Sequence, residues 1–313
     1  MMMKWIMSFC HNGYLDIVNI LIKIVDNICF LSYCVFNRQA QQSISPKTGG
    51  VMHPIIFNWM TVRSLTTVFM RAISERGDFQ TVFEPFLPIF WNARKDQAGN
   101  GHVENYDGWP TDYAGIRAKI FSMAEKGPVF IKEAPLHAIE EFLKDEDLLR
   151  RTKHMFQIRN PRRALLSSWK VRGTQKRSLE DLGTYDQGRM FQRITDLKLH
   201  MLDNGNTPLV VDGEDFEENP EGIMKAWSQA VGVPHKPEAL KWKPEWRSEY
   251  SHWEVCYRDV AGSSGIQKQM EAFLYDERLV ETIYNDLPLL QLVYEYHKPA
   301  YDMMAAHRLK PVK

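Results

Sequence analysis

From Met52 onward, short apolar runs alternate with longer segments in which apolar residues recur three or four positions apart. Such short runs mark buried strands, and the longer periodic segments mark helices. Ile55-Ile56-Phe57 predicts a first strand and Phe79 to Phe83 a second, which Glu84-Pro85 ends. Pro128 to Ile131, His154 to Ile158 and Pro208 to Val211 predict three more. Val68-Phe69 and Ala72-Ile73 sit at helical spacing up to Gly77, and a segment rich in Ala, Ile and Met runs to Gly127. Asn160-Pro161 and Asn219-Pro220 each offer an N-cap followed by a proline at the first helical position, and Gly232 closes the second of these helices. From Gln267 to Leu309 the pattern is amphipathic and helical. This alternation predicts an α/β fold: a mostly parallel sheet of about five strands, helices on both faces, and a helical C-terminal region.

Residues 1–50 follow a different pattern. Met1 to Asn37 is apolar, with Lys4, Asp16, Lys23 and Asp26 as its only formal charges. Its longest uncharged runs, Trp5 to Leu15 and Asn27 to Asn37, fall short of the ~20 residues a membrane span requires. Gln41 to Gly50 is polar, with a proline and a glycine pair, and reads as a linker. Two readings stand for 1–50: a helical extension packed on the body, or a leader dispensable for chemistry ahead of residues 51–313.

Composition narrows the function. Lys+Arg and Asp+Glu both number 39, for zero formal net charge, which argues against a nucleic-acid binder. Of four cysteines, Cys10, Cys29 and Cys34 lie in the first 34 residues, and Cys256 alone lies in the body. That is neither a disulfide framework nor a pair of zinc knuckles, and it suits a cytoplasmic protein. The histidines form no HExxH and no tight His/Cys cluster, so no metal site is expected.

In a parallel sheet, ligands collect at the carboxyl ends of strands, where helix N-termini point N–H groups outward. Two such turns stand out. Trp59 to Thr67 puts Arg63 beside the hydroxyls of Ser64, Thr66 and Thr67 on a loop entering a helix, a combination suited to phosphate or sulfate. The segment contains no GxxxxGK[ST], so a standard triphosphatase loop is absent. In the second turn Arg159 ends a strand, Arg162 and Arg163 follow, and Ser167 lies eight residues beyond Arg159. Arginines at a helix N-terminus oppose its dipole and become favourable beside a bound anion.

These two turns resemble those of the sulfotransferases that use 3′-phosphoadenosine-5′-phosphosulfate (PAPS), most of all bacterial members acting on small molecules and natural products. There a P-[KR]-S-G-T-T loop holds the 5′-phosphosulfate, and an Arg with a Ser eight residues on holds the 3′-phosphate. Arg63-Ser64-Leu65-Thr66-Thr67 and Arg159…Ser167 take those places, and Val210 to Pro220 is similar to the family's YEDL…ENP segment. The resemblance spans about residues 52 to 300 and implies a P-loop-like sulfotransferase fold, PAPS as donor and PAP as product. Val62 and Leu65 depart from the family's Pro and Gly, and Val68 stands where many members carry an adenine-stacking Trp. The family's late RKG loop has a loose counterpart in Tyr257-Arg258-Asp259 through Gly262-Ser263-Ser264-Gly265, which places 3′-phosphate or adenine contacts there.

Sulfuryl transfer needs in-line positioning, charge stabilisation and a base for the acceptor's proton. The resemblance places these at the end of the third strand. Lys132 would neutralise the leaving group, and Glu133 or His137 would be the base. The segment from Trp91 to Asp112 is long, polar and aromatic, as expected of an acceptor wall. Tyr106, Asp107 and Trp109 would suit a cationic small molecule, a class that includes guanidinium alkaloids of the saxitoxin type. Two alternatives remain: a nucleotide-dependent phosphotransferase, and a PAPS-binding protein without catalysis.

Overall fold

The computed structural model describes residues 52–93, 108–172, 182–199, 208–266, 278, 281 and 288–312. The strands are β1 (Ile55–Met60), β2 (Gln80–Phe83), β3 (Val129–Glu133), β4 (Lys153–Ile158) and β5 (Leu209–Asp212). They form one sheet in the order β2-β3-β1-β4-β5, and every pairing is parallel. The five strands lie where the hydrophobic pattern places them. The expectations for residues 1–50, and for Tyr106 and Asp107, lie outside the described residues.

Two strands run further than their apolar runs. β1 continues through Asn58 because that buried side chain is satisfied: its Nδ2 donates to Gln157 Oε1 at 2.9 Å. β3 continues through Lys132 and Glu133, both buried and both partnered: Lys132 pairs with Glu84, and Glu133 is hydrogen-bonded to His137. A buried polar group is tolerated in a sheet interior when it is hydrogen-bonded.

Alternation along the strands feeds two cores. Phe57, Trp59, Ile131 and Phe156 face one side, against α3 (Tyr113–Ala124), α4 (Ile139–Lys144), α5 (Glu146–Arg151), α7 (Thr184–Asp196) and α11 (Pro288–Ala305). Ile56, Phe130, Met155 and Val211 face the other, against α1 (Thr66–Glu75), α8 (Gly213–Glu218) and α9 (Pro220–Val231). The expected N-caps form: Asn160 Oδ1 accepts from Arg162 N at the start of α6 (Pro161–Arg172), and Asn219 Oδ1 accepts from Gly222 N at the start of α9. α2 (Leu87–Ala93) and α10 (Glu254–Gly262) complete the helices named here.

β1 lies between β3 and β4. After β1 the chain first adds β2 and β3 on one side, then β4 and β5 on the other. The carboxyl end of β1 is therefore a topological switch point, where α/β sheets bind ligands.

Candidate active site

The loop from Thr61 to Leu65 joins the carboxyl end of β1 to α1. Leu65, at the N-cap of α1, is left-handed (φ 62°, ψ 20°), and its side chain makes no capping hydrogen bond. Leucine thus holds a conformation that glycine adopts freely, at a cost of about 1–2 kcal/mol. Arg63 is also at positive φ, 65°. With no side-chain acceptor at the cap, the first N–H groups of α1 are directed at whatever anion lies before the helix.

Tertiary contacts fix this loop from three directions. Gln157 Nε2 donates to the Ser64 carbonyl at 3.1 Å, and Arg159 donates to the Arg63 carbonyl at 3.2 Å. A Cβ on Gly213 would stand 2.7 Å from the Ser64 oxygen, so the β5–α8 turn presses its backbone on the loop. Gln187 of α7 donates to the carbonyls of Trp59 and Gln157, tying together the ends of β1 and β4.

Arg63, Arg159 and Ser167 come together in the fold. Arg63 Nε donates to Ser167 Oγ at 3.0 Å, and Arg159, buried, reaches the Arg63 carbonyl. The loop hydroxyls behave differently. Ser64 Oγ donates to the Thr61 carbonyl at 2.6 Å, and Thr66 Oγ1 is turned to Met60 Sδ at 3.6 Å, while Thr67 is half-buried. Ser263, Ser264 and Gly265 pack against Lys241 and Trp242: Trp242 Nε1 donates to Ser263 Oγ at 3.0 Å, and Trp242 N donates to the Ser264 carbonyl at 3.2 Å. The Arg71 guanidinium lies 5.6 Å from the Trp242 ring, which sets this segment beside the middle of α1. Trp109 packs on α3 with the Lys119 ammonium 4.4 Å from its ring centre, and Lys119 also donates to the Gly108 carbonyl.

A second cluster forms at the ends of β2 and β3. Lys132 Nζ donates to Glu84 Oε1 at 2.5 Å and to the Tyr257 hydroxyl at 3.2 Å, and that hydroxyl lies 3.1 Å from Glu84. Burial works against the charge of Glu84, but Lys132 and His137 with the Tyr257 hydroxyl hold its carboxyl below the usual carboxylate range. Glu84 is left-handed at φ 44°, and such backbone outliers concentrate at functional sites. The other face of β3 carries Glu133, whose Oε1 lies 2.5 Å from His137 Nδ1 and also accepts from Ala134 N. Its Oε2 accepts from Phe86 N at 2.8 Å. Burial pushes the Glu133 carboxyl upward, while His137 and the Phe86 N–H oppose the shift. Glu133 is fully buried, whereas His137 keeps 7 % exposure.

Glu84, Gln157 and Glu214 have no functional role in the sequence reading, and Tyr257 enters it only as the start of the loose counterpart to the RKG loop. Glu84 had one usable signal, a carboxylate directly at the end of a strand. The others are visible only in three dimensions, because their partners lie 93 to 173 residues away or, for Glu214, on the neighbouring strand's turn. Among the described residues, no group of three or more His, Cys, Asp and Glu could hold a metal ion. No helix among them is long and apolar enough to cross a membrane.

Known proteins bear on this arrangement. The chain is 23% identical over 257 residues to the branched-chain-amino-acid aminotransferase-like protein 1 of Arabidopsis thaliana, a match covering 80% of this chain and 44% of that protein. The chain thus spans less than half the length of that relative. It is also similar to the sulfotransferase domain of the Synechococcus PCC 7002 olefin synthase, with a TM-score of 0.43, 15% identity, and coverage of 79% of this chain and all of that one. The sulfotransferase domain family model matches residues 54–276, a span that takes in both basic turns, all five strands and the Lys132–His137 segment. By that match, which covers well over half its length, the chain belongs to the sulfotransferase domain family.

Proposed function

We propose that this chain transfers the sulfuryl group of PAPS to a hydroxyl or amine of a small-molecule acceptor, leaving PAP, in the cytoplasm. One observation carries the reading: Arg63, Arg159 and Ser167 converge before the uncapped N-terminus of α1, at the switch point of the sheet. The residues fit the donor. A buried arginine, an arginine–serine pair and a helix start without a side-chain cap make a site for an anionic group. When bound, PAPS supplies the activated sulfuryl group.

Arg159 and Ser167 would hold the 3′-phosphate. Arg63 and the first N–H groups of α1 would hold the 5′ end, with Thr67 beside them. Ser64 and Thr66 would shape the loop rather than bind through their hydroxyls. Lys132 would present its charge to the leaving group, kept in place by Glu84 and Tyr257. His137 is the base in this reading, with Nε2 taking the acceptor's proton and Glu133 orienting the ring through Nδ1. Glu133 itself is too enclosed to reach an acceptor. A cationic acceptor of the saxitoxin type remains part of the proposal and rests on the Tyr106–Trp109 stretch.

Two measurements test the reading. In calorimetric titration, adenosine 3′,5′-bisphosphate should bind more tightly than ATP with Mg²⁺; the reverse order would favour a phosphotransferase. His137→Ala should cut turnover by about 10²–10⁴-fold at nearly unchanged bisphosphate affinity, and Glu133→Gln should lower turnover through the same imidazole. Near-normal turnover in His137→Ala would remove His137 from the chemistry.

A further inference from the structure

The basic cluster already holds an internal anion. Glu214 Oε1 lies 2.9 Å from Arg163 Nε and 3.8 Å from Arg159 Nε. It occupies two of the arginines that the sequence pattern marks for a phosphate. Its backbone has little freedom to withdraw. Glu214 N donates to Asp212 Oδ1 at 2.9 Å, and the preceding Gly213 is pressed on the Ser64 carbonyl. A phosphate arriving at Arg159 therefore meets a carboxylate that can move only by side-chain rotation or lose its charge.

Other charges point to the second response. Arg159 at the end of β4 and Arg163 on α6 favour the ionised carboxylate. Asp212 at the end of β5, Glu217 on α8 and Tyr301 on α11 face the same group, and the two carboxylates oppose its ionisation. A phosphate dianion drawing on the same two arginines adds a further like charge and weakens the attraction that keeps Glu214 ionised.

We infer that Glu214 is a specificity-determining residue of the 3′-phosphate site: it is the counter-anion of Arg159 and Arg163 when nucleotide is absent, and it takes up a proton from solvent when a 3′-phosphate engages them. The inference rests on the reading of Arg159 and Ser167 as the 3′-phosphate site. It implies that nucleotide affinity falls as pH rises through the range in which free Glu214 ionises. Burial, the largest influence, sets that range by pushing its carboxyl up to about 7.

The test is calorimetric titration of the full chain with adenosine 3′,5′-bisphosphate and, separately, adenosine 5′-phosphate. Each is run at pH 6, 7 and 8 in two buffers of different ionisation heat, for the native protein and Glu214→Gln. With a free-state value of about 7, the native protein should take up about 0.9 proton more than the variant on binding bisphosphate at pH 8. The variant should then bind bisphosphate about 10-fold more tightly at pH 8, about 2-fold at pH 7 and nearly equally at pH 6. Glu214→Ala should behave like Glu214→Gln. A native preference for bisphosphate over monophosphate, with equal proton uptake in native and variant proteins, would overturn the role of Glu214 alone. No preference for the bisphosphate would overturn the 3′-phosphate site itself, and the inference with it.

Discussion

Gly213→Ala probes how tightly the Thr61–Leu65 loop is held. The added methyl would stand 2.7 Å from the Ser64 oxygen, 3.3 Å from the Ser64 carbonyl carbon and 3.4 Å from the Ile158 oxygen. The first contact is about 0.7 Å short of ordinary van der Waals distance, and all three neighbours are backbone atoms, so no side chain can rotate away. Either the loop retreats, stretching the Gln157–Ser64 bond of 3.1 Å, or the β5–α8 turn lifts. Overpacking of this kind costs about 1–3 kcal/mol, and each kcal/mol lowers Tm by about 2–4 °C in a domain of this size. Because the displaced carbonyl is next to the one that accepts from Arg159, bisphosphate affinity should fall about 10-fold or more, in line with the ~10²-fold cost of a 1 Å misplacement. Differential scanning calorimetry and bisphosphate titration measure both effects. Gly262→Ala is the control, since nothing lies within 4 Å of the added methyl there. If Gly213→Ala matches that control in Tm and affinity, the close approach does not hold the loop.

Arg159→Ala should weaken adenosine 3′,5′-bisphosphate by about 10–100-fold, the worth of a charged hydrogen bond, and adenosine 5′-phosphosulfate much less; equal losses would show that Arg159 does not read the 3′-phosphate. Glu84→Gln leaves Lys132 buried without its counter-ion and should cost about 3–5 kcal/mol in denaturant unfolding. Pairing it with Lys132→Met should restore most of that loss, and no recovery would refute the pairing as the cause. Glu84 is held below its unfolded value, so its stabilisation is full above pH ~4.5 and is lost as pH falls through the folded value. His154 is pushed down to about 4 by burial, so below pH ~6.5 the unfolded chain binds the proton first. Stability should decline by up to about 3 kcal/mol between pH 6.5 and 4, and His154→Gln should flatten that slope; an unchanged slope would place the titration elsewhere.

The positions of the strands along the chain, the two capped helix starts, and the two basic turns that carry Arg63 and Arg159 with Ser167 were legible in the sequence. Local rules suffice for these. Apolar runs separate strand from helix, Asn-Pro opens a helix, and clustered arginines and hydroxyls mark a strand-to-helix turn; only the fold, by pairing β1 with β4, brings Arg63 to Arg159 and Ser167. Glu133 and His137 were legible as candidates because they follow a strand at a short interval, but their ranking was not. Only the fold turned Glu133 inward onto the Phe86 and Ala134 N–H groups and left His137 slightly less enclosed than Glu133. Leu65 is the reverse case: the missing glycine put the loop's path in question, and tertiary bonds to the Ser64 and Arg63 carbonyls hold the left-handed turn against leucine's local preference. The pairings of Glu84, Tyr257 and Glu214 belong wholly to the tertiary structure. The interaction that gives each its role is a charge or hydroxyl brought across the sheet edge from a distant segment. Its energy is an attraction or hydrogen bond strengthened where water is excluded and set against the cost of desolvation, and no local pattern in the chain encodes that meeting point.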